Sequence, residues 1–143
     1  MVEGIRNLIR RPDDIALLLR VGWFIARAPK MVETYAVRDL LAALRAMPGK
    51  CSDPQRIARM RTYWLCRPQF RTHDTCYIRA LTLYRFLDTG GEPIGLHLGI
   101  EHRENREQRL HGHAWVSLGD RILEGPPAAL EGRIREIHVR AAG

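Results

Sequence analysis

The sequence predicts a single α+β domain over residues 1–143, with a helical N-terminal half packed on a small antiparallel sheet. The 143-residue chain is 45% hydrophobic and 27% charged, which suits one folded domain with its own core. Its apolar residues follow a helical period in the first part of the chain, and from Pro93 onward they alternate as in a strand. We therefore expect residues 1–70 to be mainly helical and residues 71–143 to hold one further helix and the sheet.

The first two helices are expected over residues 13–28 and 32–47. Asp13 and Asp14 suit the positive end of a helix dipole, and Pro29 is expected to end the first helix. The apolar stretch of this helix is too short and too charged for a bilayer span, so no membrane span is expected. The second helix has an apolar face formed by Tyr35, Val37, Leu40, Leu41 and Leu44.

A third and a fourth helix flank a predicted loop at residues 66–73. Ser52-Asp53-Pro54 combines an N-cap with an early-turn proline, so a helix is expected to follow. Thr75 is the expected cap of the fourth helix, which should cover residues 76–87. Gly90-Gly91 is expected to terminate that helix.

The second half of the chain is expected to form a sheet. Gly119-Asp120 suits a two-residue hairpin turn, because glycine at the first central position tolerates the required backbone angles. Strands are predicted over residues 94–100, 112–118, 121–124 and 133–139, with a charged loop over residues 101–110.

Cys76 and His113 are the candidate nucleophile and base. Cys76 opens the fourth helix, where the helix N-terminus stabilises a thiolate and a backbone amide can bind a developing oxyanion. His113 follows at the beginning of a predicted strand, and a cysteine nucleophile needs such a base. Cys51 and Cys66 are interpreted as spectators.

The base needs an orienting acid, and Glu124 and Asp120 are the candidates. With Gly119-Asp120 as the turn, Glu124 should face Trp115 and share a sheet face with His113. Asp120 should lie at the tip of the turn, roughly 20 Å from His113 along the strand. We therefore favour Glu124 over Asp120.

A resemblance to a known family is carried by two runs, THDTCYIRALTLYRFLDTGGEPIGLHLGI and HGHAWVSLGDRILEG. Both are similar to the stand-alone B protein of lasso-peptide biosynthesis, a leader peptidase in which C-x-x-R-A-L opens a helix and HAWVE begins the catalytic hairpin. The resemblance spans residues 72–125 and implies a reduced papain-like, transglutaminase-like fold. Two positions depart from the pattern: Ser117 stands in place of the family's Glu, and Gly125 lies near the position of its usual Asp.

The resemblance implies a cysteine peptidase that frees a core peptide from its leader. The partners it implies are a ribosomally made precursor peptide, a separate leader-recognition protein and an ATP-dependent macrolactam cyclase that acts next. No cofactor is expected. Three cysteines without a Cys-x-x-Cys pair, and a charge-interrupted N-terminus, favour a reducing cytoplasm.

Several alternatives remain open. The same fold could serve as an inactive peptide-binding module, and the same triad could support acyl transfer. A net charge of +7 fits an acidic partner, but no helix-turn-helix or zinc-finger motif supports nucleic acid. The histidines and Cys66 match no zinc spacing, so no metal site is expected. The three tryptophans, Trp23, Trp64 and Trp115, are expected in the core.

Overall fold

A computed structural model describes residues 2–101, 111–124 and 134–142. The chain divides into two compact units, Met1–Asp88 and Thr89–Gly143. The first unit is helical and the second holds an antiparallel sheet, which confirms the α+β class. The elements are α1 Val2–Leu8, α2 Pro12–Thr34, α3 Val37–Ala46, α4 Pro54–Leu65, a 3-10 helix Pro68–His73, α5 Cys76–Phe86, β1 Ile94–Glu101, β2 His111–Leu118, β3 Arg121–Glu124 and β4 Ile134–Ala142.

The long helix α2 runs through Pro29 and ends at Thr34, so the prediction that Pro29 terminates it is wrong. An internal proline costs about 3 kcal/mol, because a backbone hydrogen bond is lost and the ring crowds the preceding turn. Burial of Val21, Ile25 and Ala28, none more than 1% exposed, offsets that cost. No helix in the described part of the chain is long and apolar enough to cross a bilayer.

Helix α3 begins at Val37, later than predicted, because residues 32–34 complete α2. Tyr35 therefore lies between two helices and is 55% exposed, although it was expected on a buried face. Val37 is half-buried. The remaining residues of the predicted apolar face are buried, as expected: Leu40, Leu41 and Leu44.

The segment that leads into α5 is anchored by aromatic packing. Pro68–His73 form a 3-10 helix where a loop was predicted. Phe70 packs edge-on against Trp64, with ring centroids 6.0 Å apart. Trp64 in turn donates its indole N–H to the carbonyl of Leu18 at 2.8 Å, which ties this segment to α2. The predicted cap of α4 is confirmed, since the Asp53 carboxylate accepts a backbone hydrogen bond of 3.0 Å in the first turn.

The three tryptophans differ in their surroundings. Trp115 is 8% exposed and belongs to the core, as expected, and Trp64 is half-buried. Trp23 is 64% exposed, so its predicted core position is wrong. It lies on the outward side of α2, opposite the buried stripe that contains Val21 and Ile25.

The second unit is a four-stranded sheet in the order β3-β2-β1-β4, and each neighbouring pair is antiparallel. The four predicted strands are confirmed, with β4 extending to Ala142. The predicted loop at residues 101–110 lies outside the described residues, except for Glu101, which ends β1. One face of the β1–β2 pair is apolar, with Ile94, Leu96 and Val116 no more than 2% exposed.

The hairpin between β2 and β3 begins its turn at Gly119, whose φ of 58° lies in the left-handed region, as predicted. A bulge then shifts the register, so that Glu124 pairs with Val116 and the predicted pairing with Trp115 is wrong. The shift arises because β3 contains one extra residue, Leu123, opposite β2. Turn chemistry fixes the first pairs of a hairpin, but a bulge further along changes every later pair.

Candidate active site

Cys76 is the first residue of α5, and its side chain is exposed. The helix start is fixed by Thr75, whose hydroxyl accepts a hydrogen bond from the amide of Ile78 at 3.2 Å. This confirms the predicted cap. All three cysteines are thiols: Cys51 is buried, and Cys66 is exposed like Cys76. The two exposed thiols differ in position, because Cys66 follows the C-terminal end of α4.

An ion pair brackets the same turn. The guanidinium of Arg79 binds the carboxylate of Asp74 through two hydrogen bonds, of 2.5 and 3.0 Å. These hydrogen bonds lower the pKa of Asp74 and outweigh its partial burial, which acts in the opposite direction. Arg61 donates to the carbonyl of Arg79 at 2.9 Å. This ion pair is not among the sequence predictions, although an acid and an arginine on either side of Cys76 are its signal in the sequence.

His113 lies on β2 in the second unit, half-buried and paired with Gly99 of β1. Strand alternation places Trp115 and Ser117 on the same face of β2 as His113. Trp115 stacks on His97 with ring centroids 5.5 Å apart and planes 6° from parallel. The Nε2 atom of His97 lies 2.6 Å from the hydroxyl oxygen of Ser117. This face of the sheet therefore carries a ring stack and a polar contact beside the candidate base.

The two candidate acids occupy different parts of the hairpin. Glu124 ends β3 and is half-buried, whereas Asp120 is exposed in the turn. Since Glu124 pairs with Val116, whose side chain alternates to the face opposite His113, the shared face predicted for Glu124 is not supported. Along β2, Val116 lies about 10 Å from His113, and the turn lies about 20 Å away. Gly125, near the position of the family's usual acid, lies outside the described residues.

The predicted site residues fall into the two compact units. Cys76 belongs to the helical unit, and His113, Asp120 and Glu124 belong to the sheet unit. Each is fixed in its own local frame, the thiol by a capped helix start and the others by a β-hairpin. Within the described residues, no group of three or more His, Cys, Asp and Glu side chains is placed to hold a metal ion.

Comparison with protein families gives one match. A family model described as the transglutaminase-like superfamily matches residues 15–137, which include most of α2, all of α3 to α5 and most of the sheet. This superfamily includes cysteine proteases and acyltransferases. No curated protein and no solved structure matches the chain. Because the matched segment covers most of the 143 residues, the chain belongs to the transglutaminase-like superfamily.

Proposed function

We propose that this chain is a cysteine peptidase that removes the leader from a ribosomally made precursor peptide during lasso-peptide maturation. The observation that carries the proposal is an exposed thiol, Cys76, at the first position of a capped helix within the family match. His113 follows on a strand, in the chain order of the family that residues 72–125 resemble, and supplies the base that a cysteine nucleophile needs. The lasso-peptide role rests on the resemblance of residues 72–125.

The proposed chemistry is acyl transfer to water through a thioester. His113 takes the proton of the Cys76 thiol, and the thiolate attacks the carbonyl carbon of the last leader residue. Backbone amides at the start of α5 stabilise the oxyanion that forms. The imidazolium then protonates the leaving amine, and a water molecule activated by the same imidazole hydrolyses the thioester.

Glu124 is our candidate for the acid that orients His113. Two observations support it over Asp120: Glu124 is half-buried, and the residue it pairs with, Val116, is about 10 Å from His113 along the strand. Asp120 is exposed at the end of the hairpin. This support comes from burial and from position along the strand. It does not come from a shared sheet face, because the bulge pairs Glu124 with Val116.

The superfamily also contains acyltransferases, and the same thioester would serve both reactions. The two activities differ in what attacks the thioester, which is water in a peptidase and an amine in an acyltransferase. Incubation with the precursor in the presence and absence of an added primary amine separates them. A peptidase yields the free leader acid in both cases, whereas an acyltransferase yields the leader amide.

The decisive experiment compares Cys76→Ala with Cys66→Ala, because both thiols are exposed and one of them opens no helix. Iodoacetamide should label Cys76 faster than Cys66 near neutral pH. Cleavage of a lasso-type precursor peptide, followed by mass spectrometry, should be lost in Cys76→Ala and kept in Cys66→Ala. Full cleavage by a folded Cys76→Ala protein would rule out the proposed nucleophile. A folded wild-type protein that never cleaves would favour a peptide-binding module.

A further inference from the structure

The outer side of α2 carries an apolar stripe in the helical unit. Ile15, Leu19 and Trp23 are spaced four residues apart, and each is at least half exposed, at 50%, 61% and 64%. The stripe continues into a cavity of about 490 Å³. We name this cavity the trough; its apolar lining includes Leu19, Trp23, Met31, Tyr35, Met47 and Phe86.

All charged residues that line the trough are positive. They are Arg20, Arg27 and Arg85, with no acidic side chain among the lining residues. The guanidinium of Arg27 lies over the indole of Trp23, 4.0 Å from the ring centroid. A second cavity shares Arg27 with the trough and adds Lys30, so the positive lining continues along α2.

Arg85 gives the trough an unsatisfied cation. Arg85 is 7% exposed, and its Nη2 atom donates to the carbonyl of Pro48 at 2.8 Å, but the buried Nη1 atom has no hydrogen-bond partner among the residues that the structure describes. Burial, together with repulsion from Arg20 and Arg45, lowers the pKa of Arg85. A buried charge without a counter-ion is costly. An anion bound in the trough would relieve this cost.

Gly49 helps to hold a second arginine at the same place. Its φ of 85° is in the left-handed region, and a Cβ atom at this position would lie 2.9 Å from Nη1 of Arg20. The turn at Pro48 and Gly49 therefore accepts a hydrogen bond from Arg85 and leaves room for Arg20. Both arginines line the same cavity, and guanidinium groups bind carboxylates through paired hydrogen bonds.

We propose that the trough binds an acidic polypeptide segment of a partner protein. Bulky apolar side chains of the bound segment would pack between Trp23 and Tyr35, and one of its carboxylates would reach Arg85 and Arg20. The inference goes beyond the proposed peptidase reaction and does not rest on it, because every residue involved lies in the helical unit and none is a candidate catalytic residue.

The shape of the trough favours a polypeptide over a membrane surface or a compact amphiphile. The stretch of α2 from Leu19 to Thr34 that lines the two cavities is roughly 24 Å long at 1.5 Å per residue, which is the length of a helical segment of about 16 residues. A compact ligand would fill only one of the two cavities along this stretch, whose volumes are about 490 and 440 Å³. Arg85 is 7% exposed and lines a cavity, where a planar array of lipid headgroups does not reach.

The test is an unbiased selection on the full chain. A phage-displayed library of random peptides about 16 residues long is selected on the wild-type protein, and enriched peptides are resynthesised with a fluorescent label. We expect sequences that combine Asp or Glu with Leu, Phe or Trp. Their Kd should rise about tenfold or more in Arg85→Met and in Trp23→Ala, since each variant removes one of the two kinds of contact.

Arg38→Met is the matched control, because it removes the same charge from an exposed position of α3 outside the trough and should leave the Kd unchanged. Trp23 is 64% exposed, so Trp23→Ala tests the site even if Arg85→Met does not fold. Enriched peptides without acidic residues would overturn the proposal. So would folded Arg85→Met and Trp23→Ala proteins that bind the peptides with the same Kd as the wild type. Binding to phosphatidylglycerol vesicles or to dodecanoate with no peptide enrichment would overturn it in favour of a lipid.

Discussion

The hydroxyl oxygen of Thr75 lies 3.2 Å from the amide nitrogen of Ile78, and this hydrogen bond closes the first turn of the helix that carries Cys76. The bond satisfies one of the amides that a helix start leaves without an intrahelical partner. It also keeps the remaining amides of that turn aligned, and their dipoles stabilise an anion at this end of the helix. The cap therefore links a local sequence feature to the reactivity expected of the thiol.

Replacement of Thr75 by Ala should weaken both stability and thiol reactivity. Loss of the cap is expected to lower the free energy of unfolding by about 1 kcal/mol. The rate of alkylation of Cys76 by iodoacetamide should fall about two- to threefold, because the frayed turn stabilises the thiolate less. Mass spectrometry of the labelled protein measures the rate, with the exposed Cys66 as internal reference.

Thr75→Ser keeps the capping oxygen and serves as the control, with stability and reactivity close to those of the wild type. A Thr75→Ala protein that loses stability but alkylates Cys76 at the wild-type rate would show that the cap does not tune the thiol.

The two candidate acids can be ranked by isosteric substitution. Glu124→Gln should lower kcat/KM for precursor cleavage by about 100-fold or more, because the imidazole of His113 loses its orienting acceptor. Asp120→Asn should change it less than about twofold, since Asp120 is exposed in the turn. A large effect of Asp120→Asn with little effect of Glu124→Gln would reverse the assignment. Little effect of either would place the acid elsewhere.

Lys50 should titrate far below an ordinary lysine. Burial and repulsion from Arg45 and Arg85 lower the pKa of Lys50 from 10.5 to about 8, against the opposing attraction of Asp88. The chain contains one other lysine, Lys30, which is exposed and provides an internal reference. Carbon-13 NMR of the lysine ε-methylene groups as a function of pH measures the pKa. A midpoint for Lys50 close to 10.5 would contradict this environment.

The same shift predicts how stability depends on pH. Between about pH 8 and 10.5 the unfolded chain holds a proton on Lys50 that the folded chain has lost, so this residue makes stability rise with pH across that window. Below pH 8 the cost of burying its charge is fully present. The unfolding free energy of the wild type, relative to that of Lys50→Met, should therefore rise with pH across this window and be constant on either side. Removal of a positive neighbour in Arg85→Met should raise the pKa of Lys50.

Gly22 is required by its contact with Trp64. A Cβ atom on Gly22 would lie 2.5 Å from Cε2 of that indole, closer than any tolerated contact. Gly22→Ala would ordinarily stabilise a helix interior by about 1 kcal/mol. Here we expect a net loss of about 1–3 kcal/mol in chemical denaturation, because the indole must move away from its hydrogen bond to Leu18. Trp64→Leu should make Gly22→Ala much less destabilising, and additive effects of the two changes would contradict the clash.

The local features of the site could be predicted from the sequence. The cap at Thr75 and the turn at Gly119 depend on a few neighbouring residues whose preferences are strong. The prediction that Pro29 ends α2 is wrong because the burial that keeps α2 helical is supplied by elements distant in the sequence. The bulge that changes the pairing of Glu124 has no characteristic turn residue that would indicate it in the sequence. The predicted core position of Trp23 is wrong because composition does not show which apolar side chains stay exposed in the folded chain.

The last prediction concerns dependence on a partner protein. If the chain acts with a separate leader-recognition protein, the isolated chain should cleave its precursor slowly, and addition of that protein should raise the rate by increasing the effective concentration of the leader. We expect electrostatic attraction to contribute to docking of the partner protein, because the chain has a net charge of +7 and the trough is lined by arginines. The stimulated rate should therefore fall between about 0.1 and 1 M salt, as the screening length drops from about 10 Å to about 3 Å. The rate without the partner is the control, since it should vary much less over the same range. Full-speed cleavage by the isolated chain at every salt concentration would exclude the partner and leave the assignment of Cys76 unaffected.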